Sequence, residues 1–124
     1  MKTKQEIEIL IKQAIGTQAY HKFSIFPNAP VITDGVLNLA NAAECFWLLD
    51  IIASYQNKPK LDKEFQVWIL KVNHDSSSGV VRGYNDIMPD IPPVITQKIP
   101  YTDFPLDEIK LYLSNGVILL PSEY

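Results

Sequence analysis

Hydrophobic positions recur with a helical period in the first half of the chain and with a period of two in much of the second. The longest helical stretch covers 33–55. Val36, Leu39, Ala40, Ala43, Trp47 and Ile51 follow the 3.6-residue period. Phe46, Leu49, Ile52 and Ala53 widen that stripe until little polar face is left. The spacing predicts one long helix over 33–55, capped by Thr33 or Asp34 and buried on most sides. A first helix is predicted over 3–15. Thr3 and Glu6 have capping-box spacing, Ile7, Leu10, Ile11, Ala14 and Ile15 form the stripe, and Gly16 stands where a C-terminal cap would. Only Ile9 lies off that stripe. Between the helices, 16–30 reads as irregular. Residues 20–26 suit a short strand or a turn, and Pro27 and Pro30 break any regular element. Val31-Ile32 leads straight into the long helix.

After a polar connector with Pro59, residues 65–72 alternate with apolar side chains on both faces, the pattern of a central strand. Residues 73–79 have turn composition, and 80–84 return as a hairpin partner weakened by Gly83. Pro89, Pro92 and Pro93 make 87–93 an extended loop or an edge, and 94–102, with Pro100, an edge strand or a bulge. At the end of the chain two strands flank Asn115-Gly116, the preferred type I′ pair. That loop sets Ser114 opposite Val117, Leu113 opposite Ile118, Tyr112 opposite Leu119 and Leu111 opposite Leu120. One hairpin face, Leu111, Leu113, Ile118 and Leu120, is expected to pack on the long helix. The other carries Tyr112 and Leu119, and the first helix, another subunit or a partner must cover it. Helices preceding strands give an α+β fold: an N-terminal helix and a long central helix on a mainly antiparallel sheet with a C-terminal β-hairpin, in one domain over 1–124.

Composition narrows the class. The 124 residues are 47% hydrophobic and 20% charged, as in a globular protein. No apolar run reaches the roughly 20 residues that span a bilayer, and no apolar stretch follows the N-terminal lysines to make a signal peptide. One cysteine excludes an internal disulfide, so a reducing cytoplasm is expected. A net charge of −3 and a pI near 5.2 speak against general binding to phosphate backbones. Lys58, Lys60 and Lys63 cluster, but in a polar connector that reads as a solvated loop.

Several stretches resemble a known family. They are the run from Ala43-Glu44-Cys45-Phe46-Trp47 through Tyr55-Gln56, then Phe65-Gln66-Val67-Trp68, Pro100-Tyr101-Thr102-Asp103-Phe104-Pro105-Leu106, Leu111-Tyr112-Leu113, Gly116-Val117 and the ending Leu119-Leu120-Pro121-Ser122-Glu123-Tyr124. The resemblance spans most of the chain, from about Gly16 onward. It is to a family of small bacterial proteins, also found on phages and plasmids, known only as a domain of unknown function. It implies no catalytic residue, only a setting among mobile-element and accessory genes.

Few residues suggest chemistry. Asp50, set in Trp47-Leu48-Leu49-Asp50-Ile51-Ile52, reads as a buried carboxylate. Unpaired, it would make a general acid. Paired with a group near Tyr20 and His21, it would be structural. Glu44 lies about 120° away on the helix and makes no carboxylate pair with it. His74-Asp75-Ser76 are adjacent and cannot adopt triad geometry. His21, His74 and Cys45 lack metal-ligand spacing, Cys45 reads as inert core, and no phosphate loop or dinucleotide fingerprint implies a cofactor. Trp47, Trp68, Tyr84, Tyr101, Tyr112 and Tyr124 are the residue types of a stacking platform for single strands, but Lys and Arg are not interleaved with them at the required density, and they read as core and hairpin packing. Three functions remain. The first is a non-enzymatic protein-interaction or accessory module, with Tyr112 and Leu119 at its interface and a second copy or another protein as partner. The second is a small-ligand protein or enzyme with a cleft at Asp50, Tyr20 and His21. The third is nucleic-acid binding, which the net charge disfavours.

Overall fold

The computed structural model describes all residues except Ile15, Phe26, Pro27 and Pro89. The expectations that fall on those four lie outside the described residues. Helix α1 (Lys4–Gln13) begins with the capping box: the Glu6 N–H donates to Thr3 Oγ1 at 3.2 Å and the Thr3 N–H to Glu6 Oε1 at 3.3 Å. It ends in extended backbone at Ala14, so Gly16 is not its cap. Strand β1 (Tyr20–Lys22) pairs antiparallel with β2 (Val31–Thr33), which runs directly into α2 (Asp34–Ala42).

The single helix expected over 33–55 is two helices. After α2 the chain turns at Ala43-Glu44-Cys45 and restarts as α3 (Phe46–Ser54). The turn closes as a Schellman-type cap, with the Cys45 N–H on the Ala40 carbonyl at 3.0 Å and Glu44 left-handed at φ 51°. Glutamate holds a place usually given to glycine, so no local signal marks the break. The turn also resets the helical phase. Cys45, Leu48, Leu49 and Ile52 now face the core, and Asp50 faces solvent.

The sheet continues with β3 (Phe65–Asn73), β4 (Ser78–Tyr84), β5 (Ile95–Ile99), β6 (Glu108–Ser114) and β7 (Val117–Leu119), followed by a 3-10 turn, Pro121–Glu123. The strand order is β1-β2-β7-β6-β3-β4-β5, with all pairs antiparallel except β2 and β7. The α+β architecture is therefore as expected, with the predicted strand β3 in the interior of the sheet between β6 and β4 and the predicted edge at β5. Three helices and one face of the sheet enclose the core. Ile7, Leu39, Leu49, Trp68, Leu111, Leu113, Ile118 and Leu120 all belong to it.

Trp68 lies 1% exposed at the middle of this face. Its indole stacks on Tyr55 with ring centroids 6.0 Å apart. It passes over Gly83 on β4, where a Cβ would meet the indole at 2.8 Å. Gly83 is thus a site of close approach, not a weak point. Trp68 Nε1–H donates to Gln66 Oε1, and the Gln66 and Gln56 amides exchange two hydrogen bonds, all at 2.9 Å.

The hairpin has the anticipated register for Ser114, Leu113 and Tyr112 against Val117, Ile118 and Leu119. The fourth expected pair is absent because Leu120 leaves the strand to start the 3-10 turn. Asn115 and Gly116 both have positive φ, 49° and 82°, as a type I′ turn requires. Gly116→Val is expected to cost about 1–3 kcal/mol, the scale of a strained backbone site. A denaturant melt checks it, and an unchanged midpoint would mean that the turn relaxes freely.

Candidate functional site

The start of α2 gathers a polar cluster. Thr33 is its N-cap, with Oγ1 accepting the Val36 N–H at 3.2 Å. That hydroxyl donates in turn to Glu123 Oε1 at 2.7 Å, and Glu123 also accepts the Gly35 and Leu120 N–H groups. A carboxylate from the 3-10 turn thus sits where a helix N-terminus attracts negative charge. Gly35 leaves it room, since a Cβ there would lie 2.8 Å from the Glu123 carboxylate. Beside it, Asp34 Oδ1 is 2.7 Å from His21 Nε2, its Oδ2 accepts the Gln18 N–H, and its own N–H donates to Thr17 Oγ1. The hydrogen bond from His21, then that from Gln18, holds the Asp34 carboxyl below the usual carboxylate range. A His–Asp pair is the base half of a nucleophilic site, but the nearby Thr17 hydroxyl is engaged, donating to the Ala19 carbonyl at 2.6 Å. The cluster ties β1, α2 and the 3-10 turn together.

The structure does not unite Asp50, Tyr20 and His21. Asp50 is exposed on α3, on the helical side of the sheet. No hydrogen bond or ion pair holds it among the described residues. Tyr20, 62% exposed, pairs with Thr33 and so points to the opposite side from His21. His21 is committed to Asp34. The expected burial of Asp50 fails because it assumed an unbroken helix. Burial pushes the Cys45 thiol up to about 12, which leaves it without nucleophilic character near neutral pH. Among the described residues no three His, Cys, Asp or Glu side chains gather as metal ligands.

The sheet face turned away from the helices is the remaining candidate. Helix α1 packs on α2 rather than on this face. Phe65, Tyr112 and Tyr124 form a mutual aromatic cluster there, with all three centroid separations at 5.4 Å. Tyr112 is half-buried under the chain's own Tyr124, itself 72% exposed. Leu119 is already buried, 8% exposed, and so offers little to a partner. Beside the cluster lies a groove of about 250 Å³ lined by Val67, Ile69, Tyr84, Met88, Lys110 and their neighbours. Strand pairing sets Lys110 and Arg82 on either side of Ile69, and Tyr112 and Tyr84 on either side of Val67. The sequence alone offers Tyr84 and Tyr112 among its aromatics, reads them as packing, and does not mark Phe65 or the cations beside them. The signal was there, in the parity of each strand, but it becomes legible only once the register is known.

Two outcomes test the α2 cluster. Glu123→Ala strands the Thr33 hydroxyl and two N–H groups and is expected to cost about 1–3 kcal/mol in thermal or urea melts. Equal stability would show that solvent replaces the carboxylate at no cost. Asp34 carries a lowered folded-state pKa. Its contribution is therefore present above the unfolded value of about 3.9 and is lost as pH falls through the lower folded value. Urea midpoints between neutral pH and about pH 3 should fall further for the wild type than for Asp34→Asn, since the variant has no such proton to bind.

Comparisons with curated proteins and with solved structures give no match. A match to a family described as of unknown function (DUF6876) runs over residues 5–124, which takes in the α2 cluster, the Gln66 network and the open face alike. The chain belongs to that family of unknown function.

Proposed function

We propose that the chain is a non-enzymatic binding module, an accessory protein whose working surface is the open face of its sheet. The observation that carries this reading is the composition of that face. On β6, β3, β4 and β5 it presents Tyr112, Phe65 and Tyr84 together with Lys110, Lys71, Arg82 and Lys98. Glu108 and Asp86 are the acidic residues beside them. Four basic against two acidic side chains give the patch +2 in a chain of net −3.

A partner with a negative surface suits this patch better than a second copy. A two-fold contact would press the patch against itself and set like charges together. The setting among mobile-element and accessory genes that the resemblance implies supports an accessory role, and the absence of an assembled catalytic group among the described residues favours binding over catalysis.

The reading is tested by retention on immobilised heparin at low salt and neutral pH. The wild type is expected to be retained despite its net negative charge. Arg82→Glu with Lys110→Glu should pass through, whereas Lys58→Glu with Lys60→Glu, outside the face, should still bind. Flow-through of the wild type would remove the reading. A wild-type dimer in light scattering, dissolved by Tyr112→Lys with unchanged circular dichroism, would replace it with self-association.

A further inference from the structure

We infer that the open face is a platform for single-stranded nucleic acid. This rests on the binding-module reading above and names its partner. The decisive feature is how rings and cations alternate. Tyr112, Val67 and Tyr84 form one row across β6, β3 and β4, and Lys110, Ile69 and Arg82 form the next. A further row sets Lys71 beside Val80 and Lys98. Neighbouring strands lie about 4.8 Å apart and same-face residues about 7 Å apart along a strand. Two tyrosines therefore stand about 10 Å from one another, each with a cation one step along its own strand. A base stacked on Tyr84, or on the Tyr112 cluster with Phe65 and Tyr124, leaves its phosphate within reach of Arg82 or Lys110.

Sequence-tolerant single-strand binding uses this combination of stacking surfaces and backbone-neutralising charge. A duplex presents phosphates alone to such a face, because its bases are stacked on each other. An acidic protein would use the cations but has no need for rings alternating with them. Tyr84 and Tyr112 are half-buried, so they are held in place and lose little freedom when a base settles on them. Glu108, directly opposite Lys71, and Asp86 at the groove set a limit on charge. At most four phosphates are neutralised, so binding should be modest and its salt dependence shallow. The log–log slope should be no steeper than about −3, from roughly 0.7 per phosphate on a single strand.

Fluorescence anisotropy with labelled oligothymidylate and oligouridylate of about 15 nucleotides, near the upper end of known site sizes, tests this. A duplex of equal length is the comparison. The wild type is expected to bind the single strands and to bind the duplex more weakly. Tyr84→Ala and Tyr112→Ala should each weaken single-strand binding by about tenfold, within the range of base–aromatic stacking, with heparin retention unchanged. Tyr84→Phe and Tyr112→Phe keep the ring and should keep the affinity, which separates stacking from any loss of fold. Arg82→Glu with Lys110→Glu should abolish binding to oligonucleotides and heparin together. Retention on heparin without binding of either oligonucleotide overturns the inference and leaves an acidic protein as the partner of the module. Equal affinity for duplex, or alanine variants that bind as the wild type does, overturns it in favour of bare phosphate contact. Failure on heparin and oligonucleotides alike removes the binding-module reading as well.

Discussion

The side chain of Gln66 is fully buried on the interior strand β3, and much of the architecture follows from satisfying its amide. An amide there must find partners for its carbonyl oxygen and both N–H groups, or cost about 1–3 kcal/mol for each one missed. Its oxygen receives the Trp68 indole N–H and the Gln56 amide, and its nitrogen donates to Gln56 and to the Asp62 carbonyl. Gln56 lies just past the end of α3, so the network pins that helix to β3. It also fixes the plane of Trp68, which then needs the empty space above Gly83 and stacks against Tyr55. Tyr55 extends the network by donating to Gln97 on β5 at 2.7 Å. One polar group thus orients a helix, the largest core side chain and an outer strand. Replacing the glutamine with a hydrocarbon would leave the indole N–H and the Gln56 amide without their partner.

A second tie works at the other end of the sheet. The parallel pairing of β2 with β7 brings the start of α2 beside the 3-10 turn. Glu123 uses that proximity to cap α2 from almost ninety residues away in sequence. With α3 held by Gln66 and α2 by Glu123, every helix lies on one side. On the other side Tyr124 packs on Phe65 and Tyr112, and Met88 lines the groove beside them. The open surface is therefore a consequence of where the two polar ties pull the helices.

The sequence was most legible where backbone chemistry is local. Thr3 with Glu6 announced a helix start, Asn115-Gly116 announced a hairpin and its register, and the change of period at Phe65 announced the central strand. It misled where a residue held a conformation its type disfavours. Glu44 is left-handed, at a cost of about 1–3 kcal/mol, and this is sustained because both flanking helices are fixed by tertiary contacts. A pattern reader meets a run without glycine or proline and extends the helix through it. The error then propagates: the phase slips at residues 43–45, and Asp50 moves from the imagined core to solvent. Glu123 and Gln66 lie in the stretches that carry the family resemblance, but their roles depend on partners elsewhere in the sequence. His21 was noticed for its chemistry and proves to be bonded to Asp34, thirteen residues on.

The basic face shows how far the local charge of one surface can depart from the average over the chain. In sequence, Lys71, Arg82, Lys98 and Lys110 are scattered over forty positions with acidic residues among them. Strand parity collects them on one surface and sends their neighbours elsewhere. Glu6, Glu8 and Asp50 belong to α1 and α3, on the helical side of the sheet. A helix with its side chains is about 10–12 Å across, so carboxylates on its outer surface stand farther than that from a ligand on the open face. The Debye length at physiological salt is about 8 Å. Their repulsion is largely screened at that distance, whereas a phosphate lying on the sheet meets Lys110 and Arg82 at close range. The net charge of −3 governs how the molecule behaves as a whole, in solubility and in long-range encounter. What the open face attracts is set by the side chains within about one screening length of it, and there the sign is positive.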